Sequence, residues 1–312
     1  MFIDVKKCAE FIRNWDNISL LCHRDPDGDT YGSATALADA LISMGKTVKL
    51  ECTSEYPKNL SYLKREYPEF IEEHTIAVDI AAPNMMGDRG IRRDRIDMCI
   101  DHHPTNPDYA ALTFLVDYAA AGEAVFELIK ELGAEISTFA ATALFTALSS
   151  DTGGFRFANT TAQTLRYAAD LMELGADVEL VRMRLFESNS KGRVKVESKA
   201  MSDARFYRNG EIAVISVSLA MVAENGIDES ELEGLASQPL TIEGVHIAVT
   251  LKEREDGSIR VSMRSDNDNY DVSAICAQFS GGGHVRAAGC RIWDTLEAAE
   301  NLLVAACEEV LG

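Results

Sequence analysis

The sequence predicts an α/β protein, in which a doubly wound, mainly parallel sheet is followed by a second, smaller α/β domain. Short apolar runs, such as residues 18–22 and 96–100, alternate with helical segments in the first half of the chain. That alternation is typical of a parallel sheet covered by helices. A polar segment with four basic residues then precedes further strand and helix patterns. We therefore expect a first domain at residues 1–186, a linker at 187–199 and a second domain at 200–312.

The elements of the first domain follow from their periodicity. Apolar residues on one face predict a helix over residues 4–15. An Ala- and Leu-rich helix is predicted to open at Gly32-Ser33 and to end near Met44, where Gly45 supplies a stop. The remaining elements are strands at 18–22, 47–51, 75–78 and 96–100, and helices at 122–132, 137–148 and 161–174.

The second domain is predicted from the same signals. Strands are expected at 212–217, 245–251 and 259–263, with Asp256-Gly257 as the turn between the last two. A helix at 272–279, a glycine run at 281–283 and a final helix at 295–311 complete it.

Composition argues against several classes of protein. The formal charge of the 312 residues is −20, from 30 basic and 50 acidic residues, and such a field repels a long polyanion. No secretory signal is recognisable, and the apolar runs fall short of the ~20 residues that span a bilayer. Seven scattered cysteines without a C-x-x-C pair are typical of reduced thiols. We expect a cytoplasmic protein without a membrane or long nucleic-acid partner.

Carboxylates and histidines recur where the apolar runs end. The residues at these points are His23, Asp27, Asp29, Asp79, Asp101, His102, His103 and Asp151. The carboxyl ends of parallel strands share one crevice, so these side chains are expected to converge. For any single residue, a helix cap or a turn is the ordinary role, but the recurrence favours a site for Mn²⁺, Mg²⁺ or Zn²⁺. Two such ions ~3.5–4 Å apart polarise a phosphoryl group and deliver a deprotonated water, which suggests hydrolysis of a phosphate ester.

These motifs resemble those of the DHH phosphoesterase superfamily. The shared features are His23-x-x-x-Asp27-x-Asp29 with Gly32-Ser33 after it, the lone Asp79, Asp101-His102-His103 and the later Asp151. The run Gly281-Gly282-Gly283-His284, followed by Ala287-Ala288-Gly289, resembles the substrate-binding domain associated with that family. Within the superfamily, the chain is most similar to the stand-alone nano-RNase and adenosine 3',5'-bisphosphate (pAp) phosphatase branch, which has this two-domain layout.

The resemblance implies a role for each of these residues. His23 and Asp27 would bind one metal, Asp29, His102 and Asp151 the other, and Asp79 both. The metals are expected to be two Mn²⁺ ions, with Mg²⁺ as the alternative. Asp101 would orient a ligand histidine, and His103 would face the scissile phosphate. The residues themselves leave open which histidine binds metal. Asp25 occupies a variable position and is expected to be a solvated turn carboxylate.

Substrate binding is assigned mainly to the second domain. Three consecutive glycines, Gly281, Gly282 and Gly283, allow backbone N–H groups to approach an anion. The resemblance assigns His284 to the substrate phosphate and Arg264-Ser265 to the terminal phosphate of a nucleotide. Arg156 follows Asp151 closely and either faces the crevice or lies on the surface.

The favoured hypothesis is a two-metal phosphohydrolase. It would release nucleoside 5'-monophosphates from short oligoribonucleotides, remove the 3'-phosphate of pAp, or do both. A homodimer is left open. Alternatives are a phosphodiesterase for cyclic di-adenylate or linear dinucleotides, a manganese-dependent inorganic pyrophosphatase and, outside the enzymes, a nucleotide-binding module. The sequence does not rank pAp, nano-RNA and dinucleotides as substrates.

Overall fold

The computed structural model describes residues 1–53, 57–87, 96–232 and 234–311, except for the side chain of Ser230. The chain divides into two compact units, residues 1–188 and 189–312. In the described residues, no helix is both long and apolar enough to cross a membrane.

The first unit contains a five-stranded sheet and six α-helices among its described residues. In chain order these are α1 (Val5–Asn14), β1 (Ile18–Leu21), α2 (Gly28–Ser43), β2 (Val48–Glu51), β3 (His74–Val78), β4 (Met98–Asp101), β5 (Leu112–Leu115), α3 (Ala121–Leu132), α4 (Thr138–Asp151), α5 (Ala162–Glu173) and α6 (Val178–Arg182). The strand order is β2-β1-β3-β4-β5, and every pairing is parallel. The predicted α/β class is therefore confirmed.

The order of the strands creates a crevice at one edge of this sheet. β1 pairs with β2 on one side and with β3 on the other, so the direction in which strands are added reverses at β1. In open α/β sheets, ligands bind outside the carboxyl ends of the strands at such a reversal. His23 follows β1 and Asp79 follows β3, so both residues flank this position.

Helix α2 begins earlier than the sequence suggested. It starts at Gly28 rather than at Gly32, because the Asp27 side chain accepts hydrogen bonds from the N–H groups of Asp29 and Thr30 and caps the helix. Gly32 instead allows close packing on α4, since a Cβ there would lie 2.4 Å from the carbonyl oxygen of Ala143. Asp29 therefore lies in the first turn of a buried helix rather than in a loop.

The second unit contains a six-stranded mixed sheet. Its elements are α7 (Lys191–Ser202), β6 (Arg205–Tyr207), β7 (Ile212–Val217), α8 (Leu219–Asn225), β8 (Ile247–Glu253), β9 (Ile259–Ser265), α9 (Val272–Ala277), β10 (Gly282–His284), β11 (Ala287–Ile292) and α10 (Leu296–Leu311). The strand order is β10-β11-β9-β8-β7-β6. The turn at Asp256-Gly257 joins antiparallel β8 and β9 as predicted.

Most of the segment assigned to a linker, residues 187–199, is helical. Helix α7 occupies it from Lys191 onwards. Val196 and Ala200 are buried on this helix and pack with Ile215 and Val217 of β7. The compact units divide at residues 188 and 189, so α7 belongs to the second unit. Its polar sequence reflects a narrow apolar stripe on an otherwise exposed helix.

Candidate metal centre

Polar side chains from three strand ends and two helices converge at the crevice of the first unit. His23 follows β1, Asp79 follows β3 and His102 follows β4, while Asp27 and Asp29 come from the start of α2. Asp151 comes from the last turn of α4, which extends three residues beyond its predicted end. The structure thus brings together all six residues that the sequence suggested as metal ligands, in overlapping groups.

One group consists of His23, Asp27 and Asp79. The Nε2 atom of His23 lies 3.6 Å from Oδ1 of Asp27 and 4.0 Å from Oδ2 of Asp79. One ligand atom from each of the three residues lies within 4.8 Å of the others. This spacing suits donor atoms that surround a common cation.

A second group consists of Asp29, His102 and Asp151, and a third of Asp79, His102 and His103. The Nε2 atom of His102 lies 3.3 Å from Oδ2 of Asp151 and 3.7 Å from Oδ2 of Asp29. The same nitrogen lies 3.4 Å from Oδ1 of Asp79. Asp79 therefore faces His23 with Oδ2 and His102 with Oδ1.

The two adjacent histidines have different hydrogen-bond partners. Nδ1 of His102 lies 3.0 Å from the carbonyl oxygen of Tyr118. A carbonyl only accepts, so Nδ1 carries a proton, and Nε2 is the ring atom that faces the carboxylates. Nδ1 of His103 lies 2.8 Å from Oδ1 of Asp101. Asp101 was expected to orient a ligand histidine; in the structure it holds the ring of His103, whereas a backbone carbonyl holds His102. No sequence pattern marks that carbonyl.

The electrostatics of the cluster fit a cation. Burial and the neighbouring Asp79 raise the pKa of Asp29 to about 8, and burial followed by neighbouring carboxylates also raises the pKa of Asp151. Burial lowers the pKa of His102, but its contact with Asp79 and the charge of Asp29 raise it to about 11. Nε2 of His102 and Oδ1 of Asp79 are buried without a hydrogen-bond partner. A divalent cation would satisfy both atoms and neutralise the carboxylates.

Asp29 also anchors a helix. Its carboxylate accepts the N–H groups of Ala121, at 2.6 Å, and Gly122, at 2.9 Å, and the hydroxyl of Ser33, at 3.0 Å. Helix α3 has no side-chain cap from its own N-cap residue, Ala120, so Asp29 fulfils that role from α2. By contrast, the Asp25 side chain is 82% exposed, contacts Arg24 and lies outside the cluster.

In the second unit, the glycine run forms an edge strand rather than a flexible loop. Strand β10 pairs with β11, and a Cβ at Gly281 would lie 2.2 Å from the carbonyl oxygen of Gly289. At Gly283 it would lie 2.5 Å from the carbonyl oxygen of Ala287. A Cβ at Gly282 would meet no heavy atom within 4 Å. Gly281 and Gly283 therefore permit close packing against β11, whereas the space beside Gly282 is open.

The sheet register brings the predicted phosphate-binding residues together. Ala287 pairs with His284 on one side and with Arg264 on the other, so both residues lie at the same end of the sheet. Arg264 donates to the carbonyl oxygen of Met263, and burial lowers its pKa. Ser265 is buried, and its hydroxyl donates to the carbonyl oxygen of Asn267.

Arg156 lies in the first unit, in the turn that follows α4. Its Nε donates to the carbonyl oxygen of Gly153 at 2.6 Å, and its guanidinium carbon lies 5.7 Å from the ring centre of Phe186. Arg156 is exposed, five residues after Asp151, and these two contacts hold its side chain.

The structure combines a parallel sheet, which has carboxylate–imidazole groups at its carboxyl edge, with a separate unit that contains a glycine hairpin. This combination is typical of a class of metal-dependent phosphoesterases. Residues 17–148 match the model of the DHH family, N-terminal domain, and residues 209–312 match the DHHA1 domain. The chain belongs to the DHH family, whose members include hydrolases of phosphate esters.

Full-length relatives identify the branch. The chain is 33% identical to the bifunctional oligoribonuclease and PAP phosphatase NrnA of Thermus thermophilus, over 94% of this chain and 90% of that protein. It is 28% identical to the protein of the same name from Bacillus subtilis, over 96% and 99% respectively. The protein is thus a hydrolase of the nano-RNase and pAp phosphatase branch, as its motifs suggested.

A solved structure supports the same fold. The crystal structure of an exopolyphosphatase-related protein from Bacteroides fragilis superimposes with a TM-score of 0.87 at 23% identity, covering 98% of this chain and 95% of that chain.

Proposed function

We propose that the protein releases nucleoside 5'-monophosphates from short oligoribonucleotides and removes the 3'-phosphate of pAp. The observation that carries this proposal is the position of Asp79, whose two oxygens face the histidines of both ligand groups. A carboxylate shared in this way suits a pair of cations acting on one phosphate. The names of the full-length relatives, oligoribonuclease and PAP phosphatase, support the substrate class.

Two cations, Mn²⁺ or else Mg²⁺, would occupy the centre. His23, Asp27 and Asp79, which form one group of neighbouring ligand atoms, would hold one cation. Asp29, His102 and Asp151, which form another group, would hold the second cation together with Asp79. When bound, they would withdraw charge from the phosphoryl oxygens and acidify a water molecule. His103 would stabilise charge on the scissile phosphate or protonate the leaving oxygen at Nε2, since Asp101 engages its Nδ1.

Substrate recognition is proposed for Arg264, Ser265, Gly281, Gly282, Gly283 and His284, with a further contribution from Arg156. The planar guanidinium of Arg264 binds phosphate in two places, and its neighbour across β11, His284, would contact a second phosphate oxygen. Because metals recognise only phosphate, selection among nucleotides would depend on this second unit. A short substrate suits the net charge of −20. The homodimer and the cytoplasmic location remain predictions.

The proposal is tested by assaying the purified protein against separate substrates. These are pAp, a diribonucleotide, a long single-stranded RNA, cyclic di-adenylate and pyrophosphate, each with Mn²⁺ and with Mg²⁺. We expect turnover of pAp and the diribonucleotide and little turnover of the long RNA. Preferential hydrolysis of cyclic di-adenylate or pyrophosphate would support one of the alternative enzymes. Binding of pAp without turnover of any substrate would support a nucleotide-binding module and contradict the proposal.

A further inference from the structure

We infer that Asn106 is a positioning residue for the proposed reaction, because it holds Asp101, which in turn fixes the ring of His103. The inference rests on the proposed function for its catalytic consequence. It extends the functional cluster to a side chain whose hydrogen bond reaches Asp101, behind His103.

Both the nitrogen and the oxygen of the Asn106 side-chain amide form hydrogen bonds. Its Nδ2 donates to Oδ2 of Asp101 at 2.6 Å and to Sγ of Cys99 at 3.5 Å. Its Oδ1 accepts the backbone N–H of Asp108 at 2.9 Å, and its own N–H donates to the carbonyl oxygen of His103. The residue is only 9% exposed. A buried amide bonded in this way has one orientation.

Asp101 depends on this donor. The residue is fully buried, so each of its carboxylate oxygens requires hydrogen bonds. Oδ1 accepts the backbone N–H of His102 at 2.9 Å and Nδ1 of His103 at 2.8 Å. In the described residues, Oδ2 has Asn106 as its side-chain donor. Asn106 therefore holds the second oxygen of the Asp101 carboxylate, while the backbone N–H groups of His102 and His103 hold the first.

The rotation of the Asp101 carboxylate matters because His103 has a second acceptor nearby. Its Nδ1 lies 3.5 Å from Oδ1 of Asp79, compared with 2.8 Å from Oδ1 of Asp101. With Asp101 in place, Nδ1 donates its proton to that carboxylate and the ring keeps one orientation. If Asp101 rotated away, His103 would turn towards Asp79 and compete for an oxygen that faces the metal centre. Asn106 thus keeps His103 on Asp101.

Asn106 has two separable roles, since Oδ1 caps the following turn and Nδ2 supports Asp101. Asn106→Ser retains a hydroxyl that can cap the turn but is too short to reach Asp101, whereas Asn106→Leu loses both contacts. Thr113→Val is the matched control: it removes a hydrogen bond to Asp108 in the same turn and leaves the bonds of Asp101 intact.

The test combines kinetics on pAp, cation titration and ¹⁵N NMR of the histidine rings in Mg²⁺-loaded protein. For both Asn106 variants we expect kcat to fall about 10- to 100-fold, with KM and Mg²⁺ affinity changed less than about two-fold. The wild type and Thr113→Val should show His103 protonated at Nδ1, and the Asn106 variants should lose that signature.

The inference is overturned if Asn106→Ser retains wild-type kcat, if Thr113→Val loses as much activity, or if the His103 resonances do not change. These results are distinct from a failure of the proposed function. If the wild type hydrolyses no nucleotide, the NMR comparison still decides whether Asn106 controls the His103 ring.

Discussion

Asp79 combines a left-handed backbone, with φ of 57°, and a buried carboxylate that faces both ligand groups. Few residues other than glycine adopt this backbone conformation, but Asp and Asn tolerate it best. The unusual conformation directs the carboxylate from the end of β3 into the crevice. Both properties must be considered when this residue is substituted.

Asp79→Asn should abolish hydrolysis and lower the stoichiometry of bound Mn²⁺, because a neutral amide replaces the shared carboxylate. The metal-free variant should be at least as stable as wild type, because Asn tolerates the same backbone conformation. Burial also raises the pKa of the Asp79 carboxyl group, which means that its ionised form is unfavourable in the folded protein. Calorimetric titration with Mn²⁺ and thermal unfolding measure these effects. Asp25→Asn, at an exposed carboxylate, is the control. Wild-type stoichiometry in Asp79→Asn would contradict the metal assignment.

The stability of the metal-free protein should fall as pH rises from about 5 to 8.5. Asp29 has a pKa of about 8 in the folded protein against ~3.9 when unfolded, and His23 has about 9 against ~6.5. Between these values the folded state binds more protons than the unfolded state, so the free energy of unfolding decreases with pH.

Thermal unfolding with a chelator, at constant ionic strength, measures this decrease. Saturating Mg²⁺ should displace the protons and flatten the dependence. A Tm of the metal-free protein that rises over this range would refute the prediction.

The cluster itself could be predicted from the sequence, but its internal hydrogen bonds could not. Polar residues at the ends of apolar runs identify the carboxyl edge of a parallel sheet, and this reasoning found His23, Asp79 and His102. The different roles of His102 and His103 depend on the carbonyl oxygen of Tyr118, 16 residues further along the chain. Sequence patterns contain no information about such a contact.

At the scale of elements, the start of α2 serves two purposes through Asp27. The carboxylate caps the helix and also faces His23. An aspartate in this position therefore contributes to folding as well as to the candidate metal centre.

Asp27→Asn should weaken Mn²⁺ binding with little loss of stability, because Asn is as good an N-cap as Asp. Asp27→Ala should weaken Mn²⁺ binding to a similar extent and cost about 1 kcal/mol more of unfolding free energy. Denaturant titration of the metal-free variants and calorimetry with Mn²⁺ separate the two effects. Equal stability of the two variants would mean that the cap contributes nothing.

Substitutions in the glycine hairpin should likewise separate effects on stability from effects on substrate binding. Gly281→Ala should lower Tm because its methyl group would overlap the carbonyl oxygen of Gly289. Gly282→Ala should leave Tm unchanged, since nothing lies within 4 Å of its Cβ, but raise KM for pAp several-fold if the backbone N–H groups contact phosphate. Thermal unfolding and steady-state kinetics test this pair. An unchanged KM in Gly282→Ala would exclude an anion site there.

Elements with a clear apolar pattern, including the amphipathic helix α1, could be predicted, whereas several short strands could not. The buried runs of β1 and β4 stand out because both faces are apolar. Strands β5, β6 and β10 have three or four residues each, too few to show a period. The start of α2 at Gly28 could not be predicted because glycine is a poor helix former. It depends on the cap that Asp27 provides.

At the scale of the whole molecule, each unit has its own core. The sheet of the second unit packs with α9 and α10 in one cluster and with α7 in another. The polar composition of α7 concealed this role in the sequence, because only Val196 and Ala200 are buried along it.

A fragment of residues 189–312 should therefore unfold cooperatively, whereas a fragment of residues 204–312 should be less stable. Removal of α7 exposes Ile215 and Val217, which costs on the order of 1.5–3 kcal/mol for each fully exposed side chain. Urea unfolding of both fragments, followed by circular dichroism, measures the difference. Equal midpoints would show that α7 is dispensable and restore the interpretation of residues 187–199 as a linker.

The hydrogen bonds of Asp29 have a practical consequence for the preparation of inactive protein. A substrate-trapping form must lose turnover and keep its native shape. Substitution of Asp29 by a side chain without an acceptor would leave the first N–H groups of α3 unsatisfied in the interior, so its inactivity would be uninterpretable. Asp151, at the end of α4 and with a side chain that is 25% exposed, is the better position for such a form.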